Sequence, residues 1–226
     1  MTRDILLTET QKLVDMFATQ INRQLNIKLE PIAVRRRFVD PSFMLTGKGF
    51  ISIDHDLSSS TSRGRIETGV LHELGHRVQM CLNKYSDMMI RGGHLKRLVT
   101  RPWTYNIRRI SMVEGILSEG IAENFGLEIF PEFCDLSEEG RKQVMYEIQQ
   151  HSHKYNPESP YSRGYHFFND FVLDEREKGL VTYIKQFRIS DVPTAEELDN
   201  PERYWARWYK NHQRDIIKLR SLELNR

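Results

Sequence analysis

Apolar side chains recur at every fourth position near the start of the chain, which is the pattern of an amphipathic helix. Thr8, followed three residues later by Gln11, has the form of a capping box before this pattern. The apolar stripe consists of Leu13, Phe17, Ile21 and Leu25. We therefore expect a helix over 9–25.

Two stretches after this helix are typical of β-strands. Residues 32–39 mix aliphatic and basic side chains in an extended pattern. Residues 44–54 contain a glycine-bearing turn that leads into a second strand, whose apolar positions are Phe50 or Ile51 together with Ile53. The front of the chain is thus predicted to contain one helix and two strands.

The remainder of the chain has mainly helical periodicity. A polar loop over 58–65 precedes the first of these helices, and an irregular excursion over 84–105 follows it. Helices are predicted over 66–83, 107–129 and 137–152, after Pro160, and over 201–223. On the last helix, core packing is predicted for Tyr204, Trp205, Trp208 and Tyr209. The predicted fold class is therefore α+β, in one domain over 1–226 with a small mixed-sheet N-terminal lobe (1–83) and a mostly helical C-terminal lobe (84–226).

Composition narrows the class of protein without selecting a function. Hydrophobic residues make up 39% of the 226 positions and charged residues 28%, which is typical of a folded globular chain. The net charge of +2 gives no reason to expect a nucleic-acid or membrane-surface partner. The sequence has neither a recognisable secretory leader nor a long apolar run, so we expect a cytoplasmic protein, with export without a cleaved leader as the alternative. Cys81 and Cys134 are predicted to be buried thiols rather than a disulfide framework.

The helix predicted over 66–83 contains a motif that points to specific chemistry. His72, Glu73 and His76 form an HExxH sequence. Residues four apart share one face of a helix, so both imidazoles can bind a single metal ion. Glu73 is expected beside that face, where it can act as the general base for a metal-activated water. Gly75 inside this helix costs about 1 kcal/mol relative to alanine, which indicates close approach by a neighbouring element.

A catalytic zinc ion needs a third protein ligand, and the second long helix offers one. Glu119 and Glu123 lie four residues apart among apolar side chains, so both carboxylates are expected on one largely buried face. We expect Glu119 to bind Zn²⁺ and Glu123 to accept a hydrogen bond from the far nitrogen of a histidine ligand. Gly120 would allow this helix to approach its neighbour closely. The other candidate ligands are Glu114, His94, His151, His153 and His166.

The two helical segments together resemble the gluzincin metallopeptidases, in which HExxH on one helix is joined by a glutamate ligand on a second. The sequence EGIA over 119–122 is similar to the EGxA of aminopeptidase-type members and of small bacterial predicted zinc-dependent proteases. The segment 160–168 resembles the family's YxxG-aromatic segment. The resemblance covers 32–187 and implies a zincin-like fold, with the active-site helix between the two lobes. The interval from His76 to Glu119 is longer than in the large aminopeptidases, so their recognition of an N-terminal amine is not implied.

The resemblance also implies roles for residues outside the metal cluster. Tyr161 corresponds to the tyrosine that stabilises the oxyanion of the tetrahedral intermediate, a task that suits a neutral phenol donor. Tyr165 and His166 are alternatives for that task, and His166 is also a candidate substrate contact. Zincins pair extended substrate with an edge strand above the active-site helix, and 49–54 is the candidate for that strand. The substrate-binding residues predicted there are Gly49, Phe50 and Ile51.

The sequence therefore predicts a zinc-dependent peptidase whose substrate is a peptide or a protein. Zn²⁺ would be held by His72, His76 and Glu119, with Glu73 as the general base. The alternative is a zincin-like protein that binds a metal or a partner without hydrolysis. Neither nucleic acid nor a membrane is expected as a partner.

Overall fold

The computed structural model describes residues 3–37, 44–47, 49–54, 61–83, 105–169 and 176–223. The front of the chain consists of α1 (Arg3–Leu25), β1 (Ala33–Arg37), β2 (Met44–Gly47) and β3 (Phe50–Asp54). The helices that follow are α2 (Arg63–Leu82), α3 (Tyr105–Asn124), α4 (Glu138–His153), α5 (Pro160–Asn169), α6 (Arg176–Gln186), α7 (Ala195–Asp199) and α8 (Pro201–Glu223). Short non-α turns lie at Phe125–Ile129, Phe130–Glu132 and Ile189–Asp191.

The element order confirms the predicted α+β class, since a small sheet precedes a mostly helical remainder. The predicted helices are present, but α1 begins at Arg3 and α2 at Arg63, earlier than the apolar periodicity indicated. Ser62 sets the start of α2, because its side chain accepts a hydrogen bond from the backbone N–H of Arg65. The helices α6 and α7 were not predicted. The start of the predicted loop over 58–65 and nearly all of the predicted excursion over 84–105 lie outside the described residues.

The sheet is mixed, as predicted, and its strand order is β1-β3-β2. β3 pairs in parallel with β1 and antiparallel with β2. The prediction that 49–54 is an edge strand is therefore wrong, because β3 is the central strand. The reason lies in residues 44–47, which form a strand of their own and return to β3 through Gly49 in the left-handed region, at φ 73°.

Gly49, Phe50 and Ile51 therefore do not form an edge with which a substrate could pair. The carbonyl of Gly49 accepts a hydrogen bond from the backbone N–H of Ala33, and Ile51 is completely buried. The guanidinium of Arg35 lies over the ring of Phe50, with its Cζ atom 3.1 Å from the ring centroid. Among the described strands, β2 is the edge strand that contacts α2.

The HExxH helix, α2, is largely buried among other elements of the described chain. It packs against α1 and β2, and also against α3, α4 and α6. Its apolar anchors are Val70, Leu71, Leu74 and Val78, all of them buried. Polar side chains on such a helix lie in a low-dielectric setting, where each interaction is stronger and each missing partner costs more.

Two close helix contacts fix α3 against its neighbours. A Cβ atom on Gly75 would lie 2.9 Å from the Cα of Ala122, so the backbones of α2 and α3 nearly touch. A Cβ atom on Gly120 would lie 2.4 Å from the carbonyl carbon of Gly164, so α5 is equally close to α3. The close approaches predicted at Gly75 and Gly120 are thus confirmed. The contact at Gly75 brings the acidic face of α3 onto the histidines of α2, and the contact at Gly120 holds α5 against α3.

The end of α3 differs from the regular helix predicted over 107–129. Regular α-helix stops at Asn124, and a π-helical turn runs over Phe125–Ile129 before the 3₁₀ turn that contains Pro131. A Cβ atom on Gly126 in this turn would lie 3.1 Å from the backbone nitrogen of His72. The π-helical turn therefore runs close to the backbone of α2 at His72, the first candidate ligand.

The aromatic residues of α8 pack in the core, as predicted. Tyr204, Trp205 and Trp208 are buried, and Tyr209 packs against them at the edge of the core. Tyr183 of α6 lies among them, with its hydroxyl 2.9 Å from the hydroxyl of Tyr204. This aromatic cluster packs α8 into the core, and none of its residues is a candidate metal ligand.

The two cysteines are free thiols in different surroundings. Cys134 is buried, as predicted, but the prediction for Cys81 is wrong, because Cys81 lies on the exposed side of the last turn of α2. In the part of the chain that the structure describes, no helix has the length and apolar character needed to cross a membrane.

Candidate metal centre

Three side chains from two helices converge at one point. His72 and His76 of α2 and Glu119 of α3 each offer a ligand atom there, and these atoms all lie within 4.8 Å of one another. Glu119 Oε2 is 3.1 Å from His72 Nε2 and 3.4 Å from His76 Nε2. Ligands bound tetrahedrally at zinc–ligand distances are about 3.3 Å apart, which matches the two distances from Glu119. The cluster could therefore hold a metal ion.

The helix geometry explains why the two imidazoles meet. They lie one turn apart on α2, with ring centroids 4.8 Å apart and ring planes at 87°. Glu119 reaches them from α3 because Gly75 allows the backbone of α3 to approach. All three residues predicted to bind the metal are thus brought together by the folded chain.

Glu123 lies behind His72. Its Oε1 is 3.6 Å from His72 Nδ1, and its Oε2 is 3.9 Å from Nε2 of His151. This is the position expected of a carboxylate that orients an imidazole so that its other nitrogen faces a metal. The orienting role itself stays a prediction.

The far nitrogen of His76 faces two residues that sequence reasoning missed. Ser118 Oγ is 3.3 Å and Gln79 Nε2 is 3.4 Å from His76 Nδ1. Both residues are buried. Their positions in the sequence could have identified them, because Ser118 directly precedes Glu119 and Gln79 follows His76 by one helical turn.

The carboxylates set the charge state of the cluster. Burial alone would lower the pKa of His72, but the carboxylates of Glu123 and Glu119 outweigh burial and raise it. Burial alone would raise the pKa of Glu119, but His76 and His72 hold it well below its usual range. For Glu123, burial is the dominant cause and raises the pKa to about 7. A cation that binds here therefore replaces a proton on His72 as the partner of the carboxylates.

Glu73 is buried on α2, with 5% of its surface exposed, and is not one of the three converging ligands. Its negative charge contributes to the raised pKa of His72, so the carboxylate acts on the cluster at short range. The arrangement agrees with a carboxylate beside the metal position rather than one that binds the ion.

Tyr161 lies next to the cluster from the first turn of α5. Its ring centroid is 5.7 Å from that of His72, and the side chain is exposed. The contact of Gly164 with Gly120 holds α5 against α3 and so determines where Tyr161 lies. The structure therefore brings Tyr161 to the candidate centre, and its catalytic role stays a prediction.

The two alternatives to Tyr161 make other contacts. Tyr165 is buried, its hydroxyl donates a hydrogen bond to Glu128, and its ring stacks on that of His151. His166 donates from Nε2 to the backbone carbonyl of His151 at 2.7 Å, and so ties α5 to the end of α4. These contacts engage both side chains in packing between helices. Tyr161 is therefore favoured as the hydrogen-bond donor to the oxyanion.

The remaining candidate ligands lie outside the converging set in the described chain. His151 contacts Glu123 instead of the ligand atoms, and His153 is exposed at the end of α4. Glu114 lies on α3 but does not join the three ligand atoms. His94 is outside the described residues.

Comparison of the chain with protein-family models, curated proteins and solved structures finds no match. The residues that carry the resemblance to gluzincins nevertheless come from three separate segments and lie side by side. His72 is 3.1 Å from Glu119, and its ring is 5.7 Å from that of Tyr161. A function can therefore be proposed from the geometry of the site.

Proposed function

We propose that the protein is a zinc-dependent peptidase of the gluzincin kind with a zincin-like fold. The observation that carries this proposal is the convergence of His72, His76 and Glu119 from two helices, with ligand atoms 3.1 and 3.4 Å apart. Two imidazoles and one carboxylate are a donor set of catalytic zinc sites, which leave a further position open. The same donors also accept other divalent ions.

The donor set fits the metal, which when bound would lower the pKa of a water molecule and polarise the carbonyl of the scissile peptide bond. Orientation of the ligands is the task of groups behind them, with Glu123 beside His72 Nδ1 at 3.6 Å. The contacts between α2 and α3 at Gly75 hold both ligand helices in place before any substrate arrives.

Glu73 acts as the general base and acid. Its carboxylate oxygen accepts a proton from the attacking water while the water oxygen forms a bond to the peptide carbonyl carbon. The C–N bond then breaks, and Glu73 returns that proton to the departing amine. The position of Glu73 supports this assignment, because the residue is buried on the helix that carries both histidine ligands and directly follows His72.

Tyr161 stabilises the negative charge that develops on the carbonyl oxygen. A phenol is neutral at pH 7 and donates one directed hydrogen bond. Its ring lies 5.7 Å from that of His72 and remains exposed, so a substrate can reach it.

Extended substrate would pair with β2 rather than with Gly49, Phe50 and Ile51. β2 is the described edge strand that contacts α2, whereas β3 is paired on both sides. Backbone pairing of this kind binds a peptide irrespective of its side chains, which suits a peptide or protein substrate.

The proposal is tested by incubating the zinc-loaded protein with a peptide library and identifying the products by mass spectrometry. We expect new termini that disappear when a chelator removes the metal and return when Zn²⁺ is restored. Stoichiometric zinc binding without cleavage across the library would favour the alternative, a metal-binding protein without hydrolytic activity.

A further inference from the structure

The second histidine of the motif is held by two groups of unlike hydrogen-bonding character. His76 Nδ1 lies 3.3 Å from Ser118 Oγ and 3.4 Å from Gln79 Nε2. All three side chains are buried, so water does not readily replace either partner. The hydrogen bonds open to Nδ1 are therefore set by these two residues.

The orientation of the Gln79 amide follows from a second contact. Gln79 Nε2 donates to the backbone carbonyl of Ser118 at 2.9 Å. If the amide were turned around, its oxygen would face that carbonyl oxygen, and two acceptors would repel each other. Gln79 thus presents only N–H groups to His76, whereas the hydroxyl of Ser118 can either donate or accept.

This difference separates two arrangements of His76. To bind a metal through Nε2, the neutral ring must carry its proton on Nδ1, and of these two residues only Ser118, through Oγ, can accept from that N–H. Without a metal, Nε2 can carry the proton and donate toward Glu119 Oε2, which lies 3.4 Å away. Nδ1 then accepts from Gln79.

We propose that Ser118 and Gln79 are positioning residues that act on His76 in opposite directions. Ser118 favours the metal-binding tautomer, and Gln79 favours the metal-free tautomer. The inference rests on the metal site of the proposed function but not on hydrolysis, so it is measured by metal binding alone. The pair sets how tightly the centre holds its ion.

The first test compares Zn²⁺ dissociation constants of variants by competition with a chromophoric chelator. Ser118→Ala removes the acceptor and should weaken zinc binding about tenfold or more. Gln79→Met removes the competing donor at similar volume and should strengthen binding about fivefold. The matched control is Ser162→Ala, since Ser162 is also buried but accepts from the backbone N–H of Asn156, away from the cluster.

The second test reads the tautomer directly, by long-range ¹⁵N–¹H NMR of the His76 ring at mildly alkaline pH. We expect the proton on Nε2 in the metal-free protein and on Nδ1 after Zn²⁺ is added. A metal-free ring already protonated on Nδ1, or a weakening of zinc binding in both variants, would overturn the inference and leave the peptidase proposal standing. Failure of the wild type to bind Zn²⁺ would overturn both.

Discussion

Glu119 Oε2 and His72 Nε2 lie 3.1 Å apart, although 47 positions separate the two residues along the chain. The contact joins α2 to α3 where Gly75 lets the two backbones approach. Only tertiary packing creates this distance, so the ligand cluster is a property of the folded chain. A metal that binds it should therefore also stabilise the fold.

Replacement of Glu119 by glutamine should lower zinc affinity by more than about a hundredfold, because one charged ligand is lost from a cluster of three. Glu114→Gln on the same helix provides the control and should leave affinity nearly unchanged. The measurement is competitive Zn²⁺ titration of both variants. If Glu114→Gln lost the metal and Glu119→Gln kept it, Glu114 would be the ligand instead.

Tyr161→Phe should reduce kcat by about 10²–10³-fold with a small change in KM and no loss of zinc. The hydroxyl is expected to act on the oxyanion, while the ring beside His72 is retained. Tyr146→Phe, an exposed tyrosine on α4, serves as the control in steady-state assays with a cleaved peptide. An unchanged kcat in Tyr161→Phe would exclude this residue as the oxyanion donor.

Gly120→Ala should lower the free energy of unfolding by about 1–3 kcal/mol, because its Cβ would lie 2.4 Å from the backbone of Gly164. Gly115→Ala on the same helix meets nothing within 4 Å and should be neutral or stabilising by up to about 1 kcal/mol. Urea unfolding of the two variants measures the difference. Equal stabilities would mean that α3 and α5 are not in close contact.

The two thiols should differ in reactivity with a disulfide reagent. Cys81 is exposed and should react in the folded protein, whereas burial raises the pKa of Cys134 to about 12 and leaves almost no thiolate at neutral pH. One thiol per chain should therefore be modified in buffer and two in denaturant. Rapid modification of both in buffer would contradict the packing around Cys134.

Much of the candidate site could be predicted because it depends on the spacing of residues within single helices. His72 and His76 share a helical face by spacing alone, and Glu119 with Glu123 repeats that relation on a second helix. The close approaches at Gly75 and Gly120 were also foreseen, since glycine inside a helix needs a packing reason.

The missed features depend on contacts between distant segments. Four residues over 44–47 carry too little periodicity to indicate a strand, and their pairing made β3 a central strand. Ser118 reaches His76 only when α2 and α3 meet, and Gln79 is oriented by the backbone carbonyl of Ser118 across the same contact. The exposure of Cys81 likewise depends on which side of α2 its neighbours leave uncovered.

Glu73 is the proposed proton carrier of the proposed metal-dependent peptidase. Glu73→Gln keeps the size of the side chain and removes the base, while the ligands His72, His76 and Glu119 are untouched. Glu138→Gln, an exposed residue on α4, is the surface control.

The most direct measurement is kcat on a cleaved peptide for Glu73→Gln, with zinc content determined on the same sample. We predict that zinc is retained and that kcat falls by about 10²–10⁴-fold relative to both the wild type and Glu138→Gln. Retained activity in zinc-loaded Glu73→Gln would contradict the role of Glu73 as the general base.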